Sequence, residues 1–235
     1  MVFKNMNTMT QILEDTVHIS KFYLPEHDKL LIELEKLLSI EEKTKATNYK
    51  FEQHKKRFII TRGFLRKVLA FYLQCNSADI EILTTNKGKP FIDNSTIEFN
   101  VSHSGDYSVI AVTKNKPIGV DIEKAKDTFN ENIAKRIFSK EENQYLMSLP
   151  EEKRANAFFT IWAKKEAYIK LHGKSIFNKS VEFSVISNKI NNIIIKEISV
   201  HPKYKSAISI SLPLRAIEYW GFDDGLYKKL SAGEM

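Results

Sequence analysis

Residues 139–173 read SKEENQYLMSLPEEKRANAFFTIWAKKEAYIKLHG. Ser139 and Glu142 have capping-box spacing, in which each side chain satisfies the other residue's backbone N–H at a helix start. A long helix is expected from Lys153 to Leu171, stopping at Gly173, a residue suited to a helix terminus. One hundred residues earlier, Ser39-Ile-Glu-Glu42 has the same spacing, and Phe58 stands where Phe158 does. Apolar Phe58, Leu65, Leu69 and Tyr72 recur at helical intervals, so a second long helix is expected from Phe51 to Leu73. Gly88-Lys89 then precedes a strand at Phe99–Ser102, much as Gly173-Lys174 precedes one at Val181–Val185. Two Ser-x-x-Glu boxes can coincide by chance. Agreement in order and spacing favours a duplicated α/β unit: an α+β chain of two similar lobes, with a ligand cleft where they meet.

The rest of the chain fills that frame. Residues 17–24 (VHISKFYL) alternate loosely and read as a strand, and Leu30–Leu38 as a short amphipathic helix. Ile80–Leu83, a Gly88-Lys-Pro turn and the strand Ile97–Ser102 follow. Tyr107–Thr113 and Ile118–Glu123 are expected strands joined by Lys114-Asn-Lys-Pro117 as a hairpin loop. Further strands are expected at Ile193–Val200, Ala207–Leu212 and Ala216–Trp220. The expected lobes are residues 1–115 and 116–225, with 226–235 a polar tail without a role.

Composition narrows the class. Hydrophobic residues make up 43% and charged residues 28% of 235, the balance of a globular protein with a sizeable core. The single cysteine, Cys75, excludes an internal disulfide framework and a cysteine-based zinc site, and fits a reducing cytoplasm. No run approaches the roughly 18 apolar residues of a membrane span, and Glu14 and Asp15 interrupt the N-terminus where a signal peptide would be apolar. Lys and Arg number 36 against 29 Asp and Glu, a formal charge of +7. That excess favours an anionic partner, whether nucleic acid, a phosphorylated metabolite or an acidic protein, and equally serves solubility.

Gly119-Val-Asp-Ile-Glu123 sets two carboxylates on one face of an expected strand, inside an apolar run. Half-burying two like charges is costly unless something positive lies between them. A Mg²⁺ ion would turn the repulsion into coordination; an edge strand with a solvated face needs no metal. In the long second helix Trp162, Glu166 and Lys170 fall at i, i+4 and i+8, on one face. A Glu–Lys surface pair and a core tryptophan account for those three equally well.

Taken together these segments resemble a specific family. IGVDIE, followed by the Glu166 of WAKKEAYIK, is similar to the paired signature of 4′-phosphopantetheinyl transferases, (V/I)G(V/I)D…E and WxxKEAxxK. FSKEE between them and GKPFI…FNVSHSG upstream are shared with the monomeric, surfactin-synthetase-activating (Sfp) type. The resemblance runs in order from about Ser39 to Gly173. It implies two α/β lobes related by a pseudo-twofold axis with coenzyme A in the cleft. The implied reaction moves the phosphopantetheine arm of coenzyme A onto a serine of an apo carrier protein, releasing adenosine 3′,5′-bisphosphate.

The same resemblance implies roles for individual residues. Asp121, Glu123 and Glu166 would hold Mg²⁺, with Mn²⁺ a workable substitute. Glu166 would be the base for the serine proton, directly or through a metal-bound water, and Lys170 a charge clamp or leaving-group acid. Lys165, off the Glu166–Lys170 face, would hold the phosphates from the side or contact the carrier. Ser102 and His103 would bind phosphate, although an isolated histidine at a strand end more often serves a turn. Lys89 and Pro90 match the segment for the adenine and a phosphate, and Arg57 a position that grips the 3′-phosphate. Where the best-known members have two basic residues before that helix, this chain has Glu42 and then Lys45, with Lys43 nearby. Trp162 is read as anchoring the catalytic helix.

The implied partner is an acidic carrier domain, which the +7 charge suits. Phe138, Tyr145, Leu146 and Met147 would form the apolar centre of that contact or pack the core. Nucleic acid and membrane are not expected partners, and a monomer is expected because one chain supplies both lobes. Two other classes fit the sequence less well. A Mg²⁺-dependent phosphodiesterase or nuclease leaves the ordered motifs unexplained, and a basic nucleic-acid-binding domain requires segregated positive charge, whereas acidic residues here are spread through the basic stretches.

Overall fold

A computed structural model describes residues 12, 14–173 and 183–231. The chain opens with β1 (Thr16–Tyr23), a 3-10 segment at Leu24–Leu30, α1 (Leu31–Lys36), α2 (Ile40–Thr47) and the long α3 (Glu52–Leu73). A two-stranded ribbon follows, β2 (Leu83–Thr84) with β3 (Pro90–Phe91), then β4 (Ile97–Ser104), β5 (Tyr107–Lys114) and β6 (Ile118–Lys124). The second half carries α4 (Glu131–Ile137), α5 (Lys140–Ser148) and the long α6 (Glu151–Leu171). Strands β7 (Lys189–Ile190), β8 (Ile193–Glu197), β9 (Tyr204–Ser211), β10 (Ala216–Asp223) and β11 (Leu226–Lys229) complete it. The mixed α+β class expected from the sequence is what forms. Among the described residues no helix is long and apolar enough to cross a membrane.

The strands build a five-stranded sheet, in the order β11-β10-β1-β5-β4, and a four-stranded sheet, β6-β9-β8-β7. Alternation of side chains decides how they stack. Phe22, Phe99, Ile110 and Val112 on one face of the larger sheet pack against Ile60, Phe64, Leu65 and Val68 of α3. Val17, Ile19, Val109 and Ala111 on its other face meet Ile118, Val120, Ile122, Ile208 and Ile210 of the smaller sheet. The far face of that sheet, with Ile195 and Ala207, is covered by Phe158, Ile161 and Ala167 of α6. The result is helix, sheet, sheet, helix.

Both capping boxes form. Ser39 N–H donates to Glu42 Oε2 (2.9 Å) and Glu42 N–H to Ser39 Oγ (3.2 Å). At Ser139 and Glu142 the same bonds measure 2.7 and 3.2 Å. Each glutamate is also buried and anchors a cation of the following long helix. Glu42 takes Arg66 Nε at 2.6 Å and Arg62 beside it, and Glu142 takes Lys165 Nζ at 2.8 Å. Removing such charges from water is costly, and the cation pairing together with the backbone N–H bonds to each carboxylate offsets it.

Three expectations are corrected. Lys114–Pro117 is not a hairpin loop, because β5 already pairs with β1 and β4 on its two sides and β6 passes to the other sheet. Phe183–Val185 form no strand: the Phe183 carbonyl accepts from Lys165 (2.7 Å) and Val185 N–H donates to Glu142 Oε1 (2.9 Å), so the buried ion pair takes the bonds a neighbouring strand would need. Residues 181 and 182 lie outside the described ones. Finally, residues 216–229 are neither second-lobe strand nor idle tail. β10 runs parallel to β1, β11 pairs with β10, and Tyr227 is buried with its hydroxyl 2.5 Å from Ser20 Oγ.

Candidate functional site

Strand β6 carries Asp121 and Glu123, and α6 carries Glu166 and Lys170, so the site depends on how closely these two elements approach. Gly119 sets that distance. A Cβ there would lie 1.9 Å from Ala167 O and 2.5 Å from Leu171 N, both backbone atoms of α6 and its end. Only glycine lets the helix settle onto the strand.

On the other side, β4 lies along β6 and is tied to it by alternate side chains. Val120 N–H donates to Asn100 Oδ1 (2.9 Å), Ser102 Oγ to Asp121 Oδ1 (2.9 Å) and Ser104 Oγ to Glu123 Oε2 (3.0 Å). Ser104 Oγ also accepts from Lys124 N–H at 3.1 Å. These rungs replace backbone pairing between the two sheet edges, and they explain why the segment is rich in short polar side chains. Asn100 and Ser104 are positions that sequence reading missed; their two-residue spacing with Ser102 was the available signal.

The positive group beside Asp121 is the Lys170 ammonium. Its Nζ lies 2.6 Å from Asp121 Oδ1 and 2.9 Å from Ser102 Oγ. Asp121 is only 2% exposed, and its Oδ2 is buried with no hydrogen-bond partner. Burial pushes the Asp121 carboxyl above its ordinary pKa, against the pull of Lys170 and Ser102. Burial and then the Asp121 charge raise Glu123 likewise, while the hydrogen bond from Ser104 and the Lys170 charge oppose this. Glu166 is pushed up to about 7: burial dominates, Lys170 opposes it, and the negative Asp121 and Glu123 add. The strand and the distant helix therefore do bring their three carboxylates into one electrostatic neighbourhood. Trp162 packs on Phe158 within α6.

A divalent cation fits this donor set in chemistry. The oxygens are hard, one of them lacks a partner, and like charges raise each other's pKa. As they stand, the side chains are not yet a cage, because among the described residues no three His, Cys, Asp or Glu side chains are grouped to hold a metal ion. Lys170 and Ser102 take Asp121 Oδ1, and Ser104 takes Glu123 Oε2.

A second constellation lies beside the first. His103 sits exposed at the end of β4, and its pKa is lowered by the protein crowding it and then by Lys170, Arg57, His54 and Lys45. Those five groups form a basic neighbourhood suited to phosphates. His54 was not anticipated, although it lies three residues before Arg57 on α3, where helical spacing puts the two side by side. Arg57 donates to Asp106 Oδ1 at 2.7 Å, and Lys45 is exposed, with its ammonium 5.5 Å from the Phe58 ring centre. Glu42 faces inward to Arg62 and Arg66, so the departure from the basic pattern supplies a core anchor.

The remaining expected residues have partners within the chain or lie against it. Lys165 is fully buried in its pair with Glu142 and lies 4.3 Å from the Phe183 ring centre; it reaches neither phosphates nor a carrier. Lys89 Nζ donates to the carbonyls of Ile118 and Leu171, both at 3.2 Å, so it ties the β2–β3 ribbon to the end of α6. Pro90 follows it, half-buried, in β3. Phe138 and Leu146 are core, while Tyr145 is exposed and Met147 half-buried.

Comparison with known proteins agrees with the geometry. Residues 21–115 match the family model described as 4′-phosphopantetheinyl transferase, N-terminal, and residues 117–212 that of the 4′-phosphopantetheinyl transferase superfamily. The chain is 35% identical over 170 residues to the 4′-phosphopantetheinyl transferase HetI of Nostoc sp. strain PCC 7120, covering 70% of this chain and 72% of that one. It is 32% identical over 200 residues to the Bacillus subtilis transferase ffp, covering 80% and 87%. To Sfp of Bacillus subtilis strain 168 it is 32% identical over 188 residues, covering 75% and 83%. The chain thus belongs to the 4′-phosphopantetheinyl transferase family, in its Sfp type, and is an enzyme that transfers phosphopantetheine from coenzyme A to carrier proteins.

Proposed function

We propose that the reaction depends on Mg²⁺ held by Asp121, Glu123 and Glu166, with Mn²⁺ able to replace it, and releases adenosine 3′,5′-bisphosphate. The observation that carries this reading is the buried, unpartnered Asp121 Oδ2 beside two further carboxylates of raised pKa. When bound, the cation supplies electrostatic stabilisation of the charge that develops on the pyrophosphate.

The chain's own groups do the rest. The serine oxygen of the carrier bonds to the phosphorus next to the pantetheine, and the bond to the bisphosphate breaks. Glu166 takes the serine proton, a role suited to a carboxylate held beside the site of reaction by the long helix α6. Lys170, seated between Asp121 and Ser102, supplies a positive charge that can turn to the leaving phosphate. His103, Arg57 and Lys45, joined by His54, bind phosphate oxygens. Ser102 contributes by orienting Asp121 and Lys170, and Pro90 lines the adenine side.

The lobes 1–115 and 116–225 are read as related by a pseudo-twofold axis, with residues 216–229 lent back to the first sheet. Support comes from the repeated box, buried glutamate and long helix, and from the two family matches meeting at residues 115 and 117. A cytoplasmic monomer acting on an acidic carrier domain completes the reading, supported by the single cysteine and the net positive charge.

Incubation with an apo carrier domain, coenzyme A and Mg²⁺, followed by mass spectrometry of the carrier, tests it. One added phosphopantetheine that disappears with EDTA and in Asp121→Ala is expected. No gain on any of several peptidyl, acyl and aryl carriers, or full gain in EDTA, refutes it.

A further inference from the structure

Asp106 is a carboxylate inside a basic neighbourhood, where a negative charge opposes anion binding. Its surroundings show what it does there. It occupies the turn between β4 and β5, and both ends of its backbone are held by distant segments. Its N–H donates to Tyr204 Oη on β9 (3.1 Å), and its carbonyl accepts from Leu24 N–H (2.8 Å). The preceding Gly105 has φ +54°, and a Cβ there would lie 2.6 Å from Tyr204 Oη. The carboxylate therefore projects from a rigid mount. Its Oδ1 takes Arg57 Nη2 from α3 at 2.7 Å, and its Oδ2 lies 3.6 Å from Lys124 Nζ at the end of β6, next to Glu123.

We infer that Asp106 is a positioning residue: it presets Arg57 for the phosphate end of the coenzyme A site and so sets the preference for the 3′-phosphorylated ligand. Two effects of its carboxylate compete. Its charge repels a phosphate, but the two cations on it already outnumber that charge. Its geometry removes rotamer freedom from a long arginine before the ligand arrives, and preorganisation of this kind raises affinity without a new contact. With the charge compensated, the ordering effect wins. The inference rests on the coenzyme A site proposed above.

The test is isothermal titration of coenzyme A and 3′-dephospho-coenzyme A into the full chain and its Asp106→Ala, Asp106→Asn and Arg57→Ala variants. Thermal unfolding of each variant checks its fold. Asp106→Ala is expected to weaken coenzyme A about tenfold, leave the dephospho form within about twofold, and leave kcat at saturation within about twofold. Asp106→Asn, which keeps an acceptor for Arg57, is expected to stay within about threefold of the parent. Adding Asp106→Ala to Arg57→Ala is expected to change nothing further, the signature of a residue acting through its partner. If the alanine variant does not fold, Asp106→Glu, which keeps the charge but displaces the acceptor, is expected to lose the preference instead. Equal loss for both ligands, or unchanged or tighter coenzyme A binding in Asp106→Ala, overturns the inference while leaving the transferase reading intact. A parent chain that binds neither ligand overturns both.

Discussion

Gly119→Ala is the sharpest probe of how the site is assembled. The added methyl would sit 1.9 Å from Ala167 O, where an ordinary contact begins at 3.4 Å, so α6 or β6 must retreat by about 1.5 Å. Both obstructing atoms belong to helix backbone, and no side chain can swing aside. Overpacking of this kind costs about 1–3 kcal/mol or more, which for a chain of this length lowers Tm by roughly 2–4 °C per kcal/mol. Glu166 directly precedes Ala167, so the retreat also carries it away from Asp121 and Glu123. A misplacement near 1 Å can cost on the order of 100-fold in rate. Turnover is measured by mass spectrometry of the carrier, and stability by thermal unfolding. Gly221→Ala serves as the control, since the atoms nearest its Cβ, from 3.2 Å, belong to the flexible side chain of Leu230. A Gly119→Ala enzyme that keeps its Tm and at least half its turnover would refute the close-approach argument.

Further expectations follow from the same contacts. Lys165→Met leaves Glu142 buried and unpaired and is expected to cost about 3–5 kcal/mol in urea unfolding, with partial recovery when Glu142→Gln is added; equal costs for single and double variants would contradict the anchor role. Tyr227→Phe removes the hydroxyl bonded to Ser20 and is expected to cost about 1–2 kcal/mol, whereas an idle tail predicts no change. His18 is buried and stacked on Trp220, with Nδ1 2.9 Å from Tyr72 Oη and Nε2 3.3 Å from Glu218, and burial lowers its pKa to about 4. Between the unfolded value of about 6.5 and the folded one, the unfolded chain binds the extra proton. Stability is therefore expected to fall by about 3 kcal/mol as pH drops through that window, less steeply in His18→Gln. Identical pH slopes for both proteins would remove His18 from the account.

The capping boxes and long helices were legible because their signals are local. Ser39 and Glu42, or Ser139 and Glu142, meet within one helical turn, so four residues of sequence suffice. The carboxylates of β6 and the Glu166–Lys170 face of α6 were legible for the same reason, each being a spacing within one element. The ladder of Asn100, Ser102 and Ser104 was only half visible. Its period marks a strand face, but nothing local says that another sheet's edge lies opposite.

Lys165 shows the limit most clearly. Helical geometry correctly put it off the Glu166–Lys170 face, yet whether that other face met solvent or core was not written in the helix. The structure answers by placing Glu142, Phe183 and Val185 around it. Sequence alone determined the two long helices, the capped helix starts, most of the strands and the set of acidic and basic groups available for chemistry, because these follow from neighbours within a few residues. Tertiary structure alone decided which sheet each strand joined, which cations became internal anchors, and that Lys170 rests against Asp121. Those outcomes are set by burial between segments 20 to more than 200 residues apart, as Glu142 with Lys165 and Ser20 with Tyr227 demonstrate.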